Sequence, residues 1–353
     1  MTAPASPRLH RFVCPQCKGP LATPADGYHC AACERTYPIV LGIPDFRIET
    51  DPFITIPDDR AKAHHLAEQA RTRSFAELVR YYYRITPEDP PDLAERWTRH
   101  HFAETEIAAH HLHDAGLRGP GKLLDLGCST GAMLIAGDRA GWQATGIDVA
   151  LRWLIIGRQR LREAGVTADF VCANAMQLPF ADASFDAITG TDLLEHVRDP
   201  RAALREARRV AAPGARGLFT ANNRYAPLLE PQMRLWGVGY LPRAWQRRYV
   251  AWRRPDVHVY RLQLPGASEL RRWCEAAGWP SAQVTPGLLV SAIGTGYIPS
   301  IRGVSSSGTS PGDESNVALY IDDVYVGDTL AGMFDLPDID HIEVLKGPQG
   351  TLF

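Results

Sequence analysis

Lys122 to Gly131 reads K-L-L-D-L-G-C-S-T-G, and seventeen residues beyond Gly131 stands Asp148, inside the G-I-D-V-A of Gly146 to Ala150. An apolar run that closes on Asp-x-Gly predicts a buried strand opening into a glycine loop and then a helix. The second run, Ala144 to Ile147, ends on a carboxylate at the tip of the next strand. In a nucleotide-binding α/β sheet such a pair grips a ribose. The glycines let backbone approach the ligand, and the acid accepts both ribose hydroxyls.

On either side of this stretch, residues 119–290 alternate short apolar runs with helical patterns, which predicts a Rossmann-like, doubly wound α/β domain. Strands are expected near 122–126, 143–147, 168–172, 185–189, 216–221 and 281–285, with helices near 131–140, 150–164, 200–211 and 267–278. Residues 51–118 read as a helical connecting segment, with Leu66, Leu78, Val79, Ile107 and Leu112 among charged neighbours. Its histidines (His64, His65, His100, His101, His110, His111 and His113) lack ordered ligand spacing and read as a solvated helix face. Residues 291–353 turn to Gly, Ser and Asp with short β-rich runs, an irregular tail.

Residues 1–50 form a small cysteine-bearing module. Cys14-Pro-Gln-Cys17 and Cys30-Ala-Ala-Cys33 are two Cys-x-x-Cys knuckles twelve residues apart. Each knuckle sets two thiolates on one tight turn, and together they make the tetrahedral sulfur set that Zn2+ prefers. With all four positions filled by protein, the expected metal is structural.

Formal net charge over the 353 residues is -2, so global charge points to neither nucleic acid nor a membrane. The distribution is uneven: residues 302–353 hold nine acids against two bases, which leaves the rest of the chain net positive. No run approaches the roughly 18 apolar residues of a membrane span. The opening M-T-A-P-A-S-P-R-L-H has no secretory core, and seven cysteines is an odd number, so reduced thiols and a cytoplasmic setting are expected.

The glycine loop discriminates between cofactors. A dinucleotide fingerprint wants G-x-G-x-x-G, and Asp125-x-Gly127-x-Ser129-x-Gly131 lacks that frame, which disfavours NAD. It resembles instead the D-x-G-x-G-x-G loop of class I S-adenosylmethionine-dependent methyltransferases, with Ser129 at the middle glycine. The stretches Asn174-Ala175 through Phe180, Ser184-Phe185-Asp186, Leu194-Glu195-His196-Val197 and Arg209-Val210-x-x-Pro213-Gly214 resemble that family's later motifs, in order. The likeness runs from about 119 to 280 and is nearest the small-molecule branch, quinone-biosynthesis enzymes included. It implies S-adenosyl-L-methionine as cofactor, bound by Asp125, Gly127, Gly131, Asp148, Asn174 and Ala175, and a small-molecule or lipid-linked acceptor.

In that family an acid reaches the adenine amino group at the position of Asn174, which can accept the same bond without charge. His196, expected at the carboxyl edge after the fourth strand, is the candidate base; a histidine hydrogen-bonded for structure is the other reading. Cys128 reads as a small packing residue. The cysteine module and Tyr37 to Pro44 resemble the zinc ribbon fused to some bacterial methyltransferases, which implies a docking or stabilising role.

Asn222 to Leu262 carries eight arginines against two acids, with Trp236, Trp245 and Trp252. Residues 222–265 therefore read either as a cap over the acceptor pocket or as an ordinary packed amphipathic helix. Leu241, Trp245, Tyr249 and Trp252 share the expected face, and membrane-surface contact through 234–254 is a further expectation. Finally, Ile301-Arg302-Gly303-Val304, Leu319 to Val326 and Ile342-Glu343-Val344-Leu345-Lys346-Gly347-Pro348-Gln349-Gly350 resemble the plug domain of TonB-dependent outer-membrane receptors. With no barrel strands following, no TonB coupling is expected. The pattern suggests a fusion near 287–298, and the alternative to an active methyltransferase is an inactive chimera with an incomplete sheet.

Overall fold

The computed structural model describes residues 11–23, 27–51, 53–86, 91–225, 230, 234–255 and 263–279, and four short strands between Ser300 and Val326. The chain divides into two compact units, Met1–Pro286 and Gly287–Phe353. The first holds a parallel five-stranded sheet of β4 (Gly121–Leu126), β5 (Trp142–Asp148), β6 (Asp169–Cys172), β7 (Phe185–Gly190) and β8 (Ala211–Phe219). Their order is β6-β5-β4-β7-β8, so the winding reverses beside β4 and opens a crevice at the carboxyl strand ends. Leu124 lies opposite Thr145 on one side and Ile188 on the other.

Strands of this kind are buried on both faces, which is why they read as continuous apolar runs. Leu123 belongs to one layer of core with Leu134, Leu151 and Leu154, while Leu124, Leu126 and Ile147 face the other with Leu204 and Trp273. The expected strands through 185–189 lie within a residue or two of these elements. β8 begins earlier than 216, because Ala211 pairs with Phe185 before a register shift brings Arg216 opposite Ala187. The expected strand at 281–285 lies outside the described residues. The crossovers are α4 (Ala132–Arg139), α5 (Leu151–Ala164) and α6 (Pro200–Val210), with α8 (Ala267–Ala276) after the insertion.

Three earlier helices, α1 (Ile56–Gln69), α2 (Phe75–Arg84) and α3 (Pro91–Asp114), cover the α4–α5 layer. Ser74 caps α2 reciprocally with Glu77, the S-x-x-E pattern that fixes a helix start. The cysteine module is built on β1 (Gly27–Cys30), β2 (Arg35–Val40) and β3 (Ile43–Pro44), joined antiparallel. It is not a tethered appendage. Asp45 bridges Cys172 in parallel and Phe46 N–H donates to the Cys172 carbonyl at 2.8 Å, so the chain leaving the module extends the sheet past β6.

Phe46, wholly inaccessible, sits among Phe12, Tyr28 and Tyr37 with ring centroids 5.0–5.3 Å away. Burying a side chain of that size contributes about 2–3 kcal/mol. Lys18 Nζ adds a 2.6 Å ion pair to Glu206 on α6. Among the described residues no helix is long and apolar enough to cross a membrane. In the second unit, Leu319–Ile321 pairs antiparallel with Val324–Val326, and Ser300–Ile301 with Val304–Ser305.

Candidate active site

The loop after β4 is shaped by left-handed residues. Gly127 (φ 71°), Ser129 (φ 45°) and Gly131 (φ 78°) all lie there. A Cβ on Gly131 would come within 2.8 Å of Phe170 Cζ, and one on Gly146 within 2.6 Å of Cys128 Sγ. These glycines let α4 and the loop press onto the sheet. Ser129 is the exception: a residue with a Cβ holds a conformation that glycine adopts without penalty. Cys128 is buried, and burial together with Asp148 and Asp125 raises its thiol well above the ordinary range, in keeping with a packing residue.

Asp148 ends β5 half-buried. Its Oδ2 accepts from Ser129 N–H at 2.9 Å and its Oδ1 from Ala150 N–H at 2.8 Å, so the carboxylate is fixed at the crevice. Burial raises its pKa to about 6; the two N–H groups oppose this and the nearby Asp51 adds to it. Asp125 is 2% exposed and its Oδ1 accepts from Thr189 Oγ1 at 2.7 Å. Burial, reinforced by Asp148 and Glu104, pushes it up to about 7.

At the end of β6, Asn174 and Ala175 are both buried. Asn174 Oδ1 accepts from Ile48 N–H at 3.0 Å and from Glu49 N–H at 3.2 Å, while its Nδ2 donates to the Glu49 carbonyl at 3.3 Å. Both lone pairs of that oxygen therefore face the segment leaving the cysteine module. His196 is exposed after β7, its N–H bonded to the Leu193 carbonyl at 2.9 Å. Surrounding protein disfavours its charged form and lowers its pKa, with Asp192 opposing. Asp192 itself is left-handed (φ 49°) and is tied to Thr220, the residue after β8: its N–H donates to Thr220 Oγ1 at 3.0 Å and its Oδ1 accepts from that hydroxyl at 3.2 Å.

Several polar residues around the crevice were not foreseen. Glu104 on α3 accepts from Thr130 Oγ1 at 3.0 Å and from Arg160 Nη1 at 2.8 Å, and lies 3.1 Å from His101 Nδ1. Burial works to raise its pKa, but His101, His100 and Arg160 hold it well below the usual carboxylate range. His101 is buried and His100 and His111 are partly so, which corrects the solvated-face expectation for these three. Spacing of His101 and Glu104 was visible in the sequence; Arg160, which completes the cluster from α5, was not. Glu195 is also wholly buried, its pKa raised to about 8 by burial, and its Oε1 accepts from Asn222 N–H and Nδ2 at 3.1 Å.

The four module cysteines converge, their Sγ atoms all within 4.8 Å of one another. Cys14–Cys33 and Cys17–Cys30 are 4.0 and 3.6 Å apart. A tetrahedral zinc with bonds of about 2.3 Å sets its sulfurs roughly 3.8 Å apart, so the set fits that ion. Burial would raise the Cys14 pKa, yet the Tyr37 hydroxyl at 3.3 Å and backbone N–H groups bring it down to about 6, toward thiolate.

In the insertion, α7 (Arg243–Arg253) packs differently from expectation. Gln246 and Val250 are its buried residues, and Val250 meets Leu235, Val238 and Leu264. Trp245 and Trp252 project outward at 63% and 73% exposure. The helix turns its aromatic stripe to solvent because the pairing partner it buries against is the short apolar cluster, not the sheet.

A winding reversal, a left-handed glycine loop and an acid on the second strand make this crevice a candidate nucleotide-cofactor site. Residues 124–219 match the family described as "Methyltransferase domain", and residues 280–353 match the "TonB-dependent Receptor Plug Domain". The chain is 36% identical over 143 residues to the ubiquinone biosynthesis O-methyltransferase of Hahella chejuensis, covering 38% of this chain and 59% of that one. It is 29% identical over 220 residues to that of Aromatoleum aromaticum, 62% of this chain and 85% of the other. The crystal structure of the [4+2]-cyclase SpnF is 28% identical, covers 49% of this chain and 56% of that one, and superposes with a TM-score of 0.38. The methyltransferase match thus lies on the strands and loops that build the crevice, and the chain spans about three fifths of the length of the first of these relatives.

Proposed function

We propose that the protein transfers a methyl group from S-adenosyl-L-methionine to a small-molecule or lipid-linked acceptor, and that zinc in the cysteine module is structural. The observation that carries this is the Asp148 carboxylate, pinned by two backbone N–H groups at the mouth of the glycine loop. It presents its remaining lone pairs to a ribose, each charged hydrogen bond contributing about 1.5–3 kcal/mol. When bound, the cofactor supplies an electrophilic methyl on a sulfonium.

The residues of this chain do the rest. Gly127, Ser129 and Gly131 bring backbone close to the cofactor, Asp125 braces the loop through Thr189, and Asn174 and Ala175 flank the adenine side. His196, neutral at pH 7 because its pKa is lowered, is placed to accept the proton of an acceptor hydroxyl as its oxygen gains the methyl. Orientation and exclusion of water supply most of the rate, since the displacement needs little covalent help. The exposed tryptophans and arginines of α7 suit an acceptor delivered from a membrane surface.

One observation favours a second reading, an inactive chimera: the plug match begins at residue 280 and so takes in 281–285, where the last sheet strand is expected. Calorimetry with S-adenosylhomocysteine and with NAD, on the wild type and on Asp148→Ala, separates the two. Binding of S-adenosylhomocysteine that Asp148→Ala abolishes supports the enzyme; binding of neither ligand supports the chimera.

A further inference from the structure

Residues 45–51, leaving the cysteine module, touch both ends of the nucleoside site. On the adenine side lie three hydrogen bonds with Asn174, a residue only 7% exposed: its Oδ1 accepts from the Ile48 and Glu49 N–H groups and its Nδ2 donates to the Glu49 carbonyl. On the ribose side, Arg47 Nη1 donates to the Val149 carbonyl at 3.0 Å and Asp51 pairs with Arg152 at 2.7 Å. Val149 and Arg152 flank the turn that follows Asp148.

A short chain of contacts runs from this segment back to the cysteines. Phe46 packs on the Tyr37 ring at 5.3 Å, and the Tyr37 hydroxyl sits 3.3 Å from Cys14 Sγ. The module's own strands are short, so a metal cross-link between its cysteines adds to their order, and metal binding is coupled to folding there. When the module loosens, residues 45–51 lose the wedge that fixes them. The contacts with Val149 and Arg152, in the turn after Asp148, and the contact with Asn174 then go together.

We infer that Asn174 is a positioning residue, and that zinc occupancy of the Cys14/Cys17/Cys30/Cys33 set is coupled to cofactor affinity through residues 45–51. This rests on the proposed cofactor and metal. Coupling of this kind is reciprocal: zinc tightens the cofactor, and the cofactor tightens zinc by the same factor.

The experiment titrates S-adenosylhomocysteine into the full chain, zinc-loaded and after chelation, with circular dichroism confirming that the α/β domain persists. In parallel, zinc is competed against a chromophoric chelator with and without saturating S-adenosylhomocysteine. The expected result is binding about tenfold weaker without zinc, and zinc held about tenfold more tightly with ligand, within the ordinary range of such couplings. Asn174→Ala, with all four cysteines intact, should keep zinc but shrink both factors toward one. Asn174→Asp, whose oxygens still accept from Ile48 and Glu49, should restore them. A merely structural Asn174 would weaken binding and leave the zinc dependence unchanged.

Equal affinity with and without zinc overturns the coupling, as does tighter binding after chelation, which would make the segment a cover. If the chelated domain unfolds, the chelator competition on the loaded protein decides by itself. Failure of both forms to bind S-adenosylhomocysteine removes the functional reading and the coupling with it.

Discussion

The backbone N–H of Ser129 donates to Asp148 Oδ2 at 2.9 Å while Ser129 holds a left-handed φ of 45°. That conformation costs an L-residue about 1–2 kcal/mol. Ser129→Gly keeps the N–H and removes the strain, at some loss from greater freedom in the unfolded chain. A net stabilisation of about 0.5–1 kcal/mol is expected in urea unfolding, with S-adenosylhomocysteine affinity retained. A less stable glycine variant would show that the Ser129 side chain contributes something the backbone argument omits.

Cofactor affinity should depend on pH through Asp148. Its folded pKa of about 6 lies above the ordinary value of about 3.9, with burial the largest cause. A raised carboxyl favours folding most below the unfolded value and loses that advantage as pH rises through the folded one. Ligand binding runs the other way, because only the carboxylate accepts two ribose hydroxyls. Affinity for S-adenosylhomocysteine should therefore rise about tenfold from pH 5 to pH 7, and calorimetry in matched buffers measures it. A flat profile across that window would count against Asp148 as the ribose acceptor.

Asp125 offers a contrast with its neighbour. Its pKa of about 7 follows first from burial, so its charged form opposes folding at alkaline pH. Asp125→Asn leaves an oxygen to accept from Thr189 and removes that charge. Stability at pH 8 should hold or rise, whereas Asp148→Asn should weaken S-adenosylhomocysteine at least tenfold. Thermal unfolding at pH 8 that drops sharply for Asp125→Asn would refute the first half.

Much of this site was legible because its signals are local. The loop from Asp125 to Gly131 and the acid Asp148 lie on consecutive elements, and strand periodicity alone puts them at adjacent strand tips. The cysteine knuckles are local too. Glu104 with Arg160, and Asn174 with Glu49, were not legible, since each pair joins residues 56 and 125 positions apart. Nor does sequence spacing say which face of an amphipathic helix turns inward. α7 carries apolar residues on two faces, and only the position of Leu235, Val238 and Leu264 decides that Val250 is covered and Trp245 is not.

The buried ion network under the segment leaving the module should be intolerant of truncation. Asp59 is fully buried and bonds Arg47 at 2.6 Å and Arg152 at 2.7 Å, besides accepting from Leu151 N–H at 2.9 Å. Asp59→Ala leaves two buried guanidinium groups short of a partner, a loss of about 3–5 kcal/mol. Denaturant unfolding of this variant checks it, and a change below about 1 kcal/mol would mean water reaches the site.

The outward stripe of α7 gives the most direct test of where the acceptor comes from. Trp245 and Trp252 are largely exposed, and Arg247, Arg248 and Arg253 are exposed beside them. Guanidinium groups near an anionic surface contribute about 1 kcal/mol each, screened by salt, while tryptophan settles at the headgroup level. The wild type should co-sediment with vesicles containing anionic lipid and release as ionic strength rises. Replacing Arg247, Arg248, Arg253 and Arg254 with Gln should reduce that binding by at least tenfold, and Trp245→Ala with Trp252→Ala should reduce it further. Because the stripe faces away from the Val250 cluster, S-adenosylhomocysteine affinity should be unchanged in both. Vesicle binding equal in wild type and quadruple variant would assign the arginines to solvation alone, and the acceptor would then have to reach the crevice from solution.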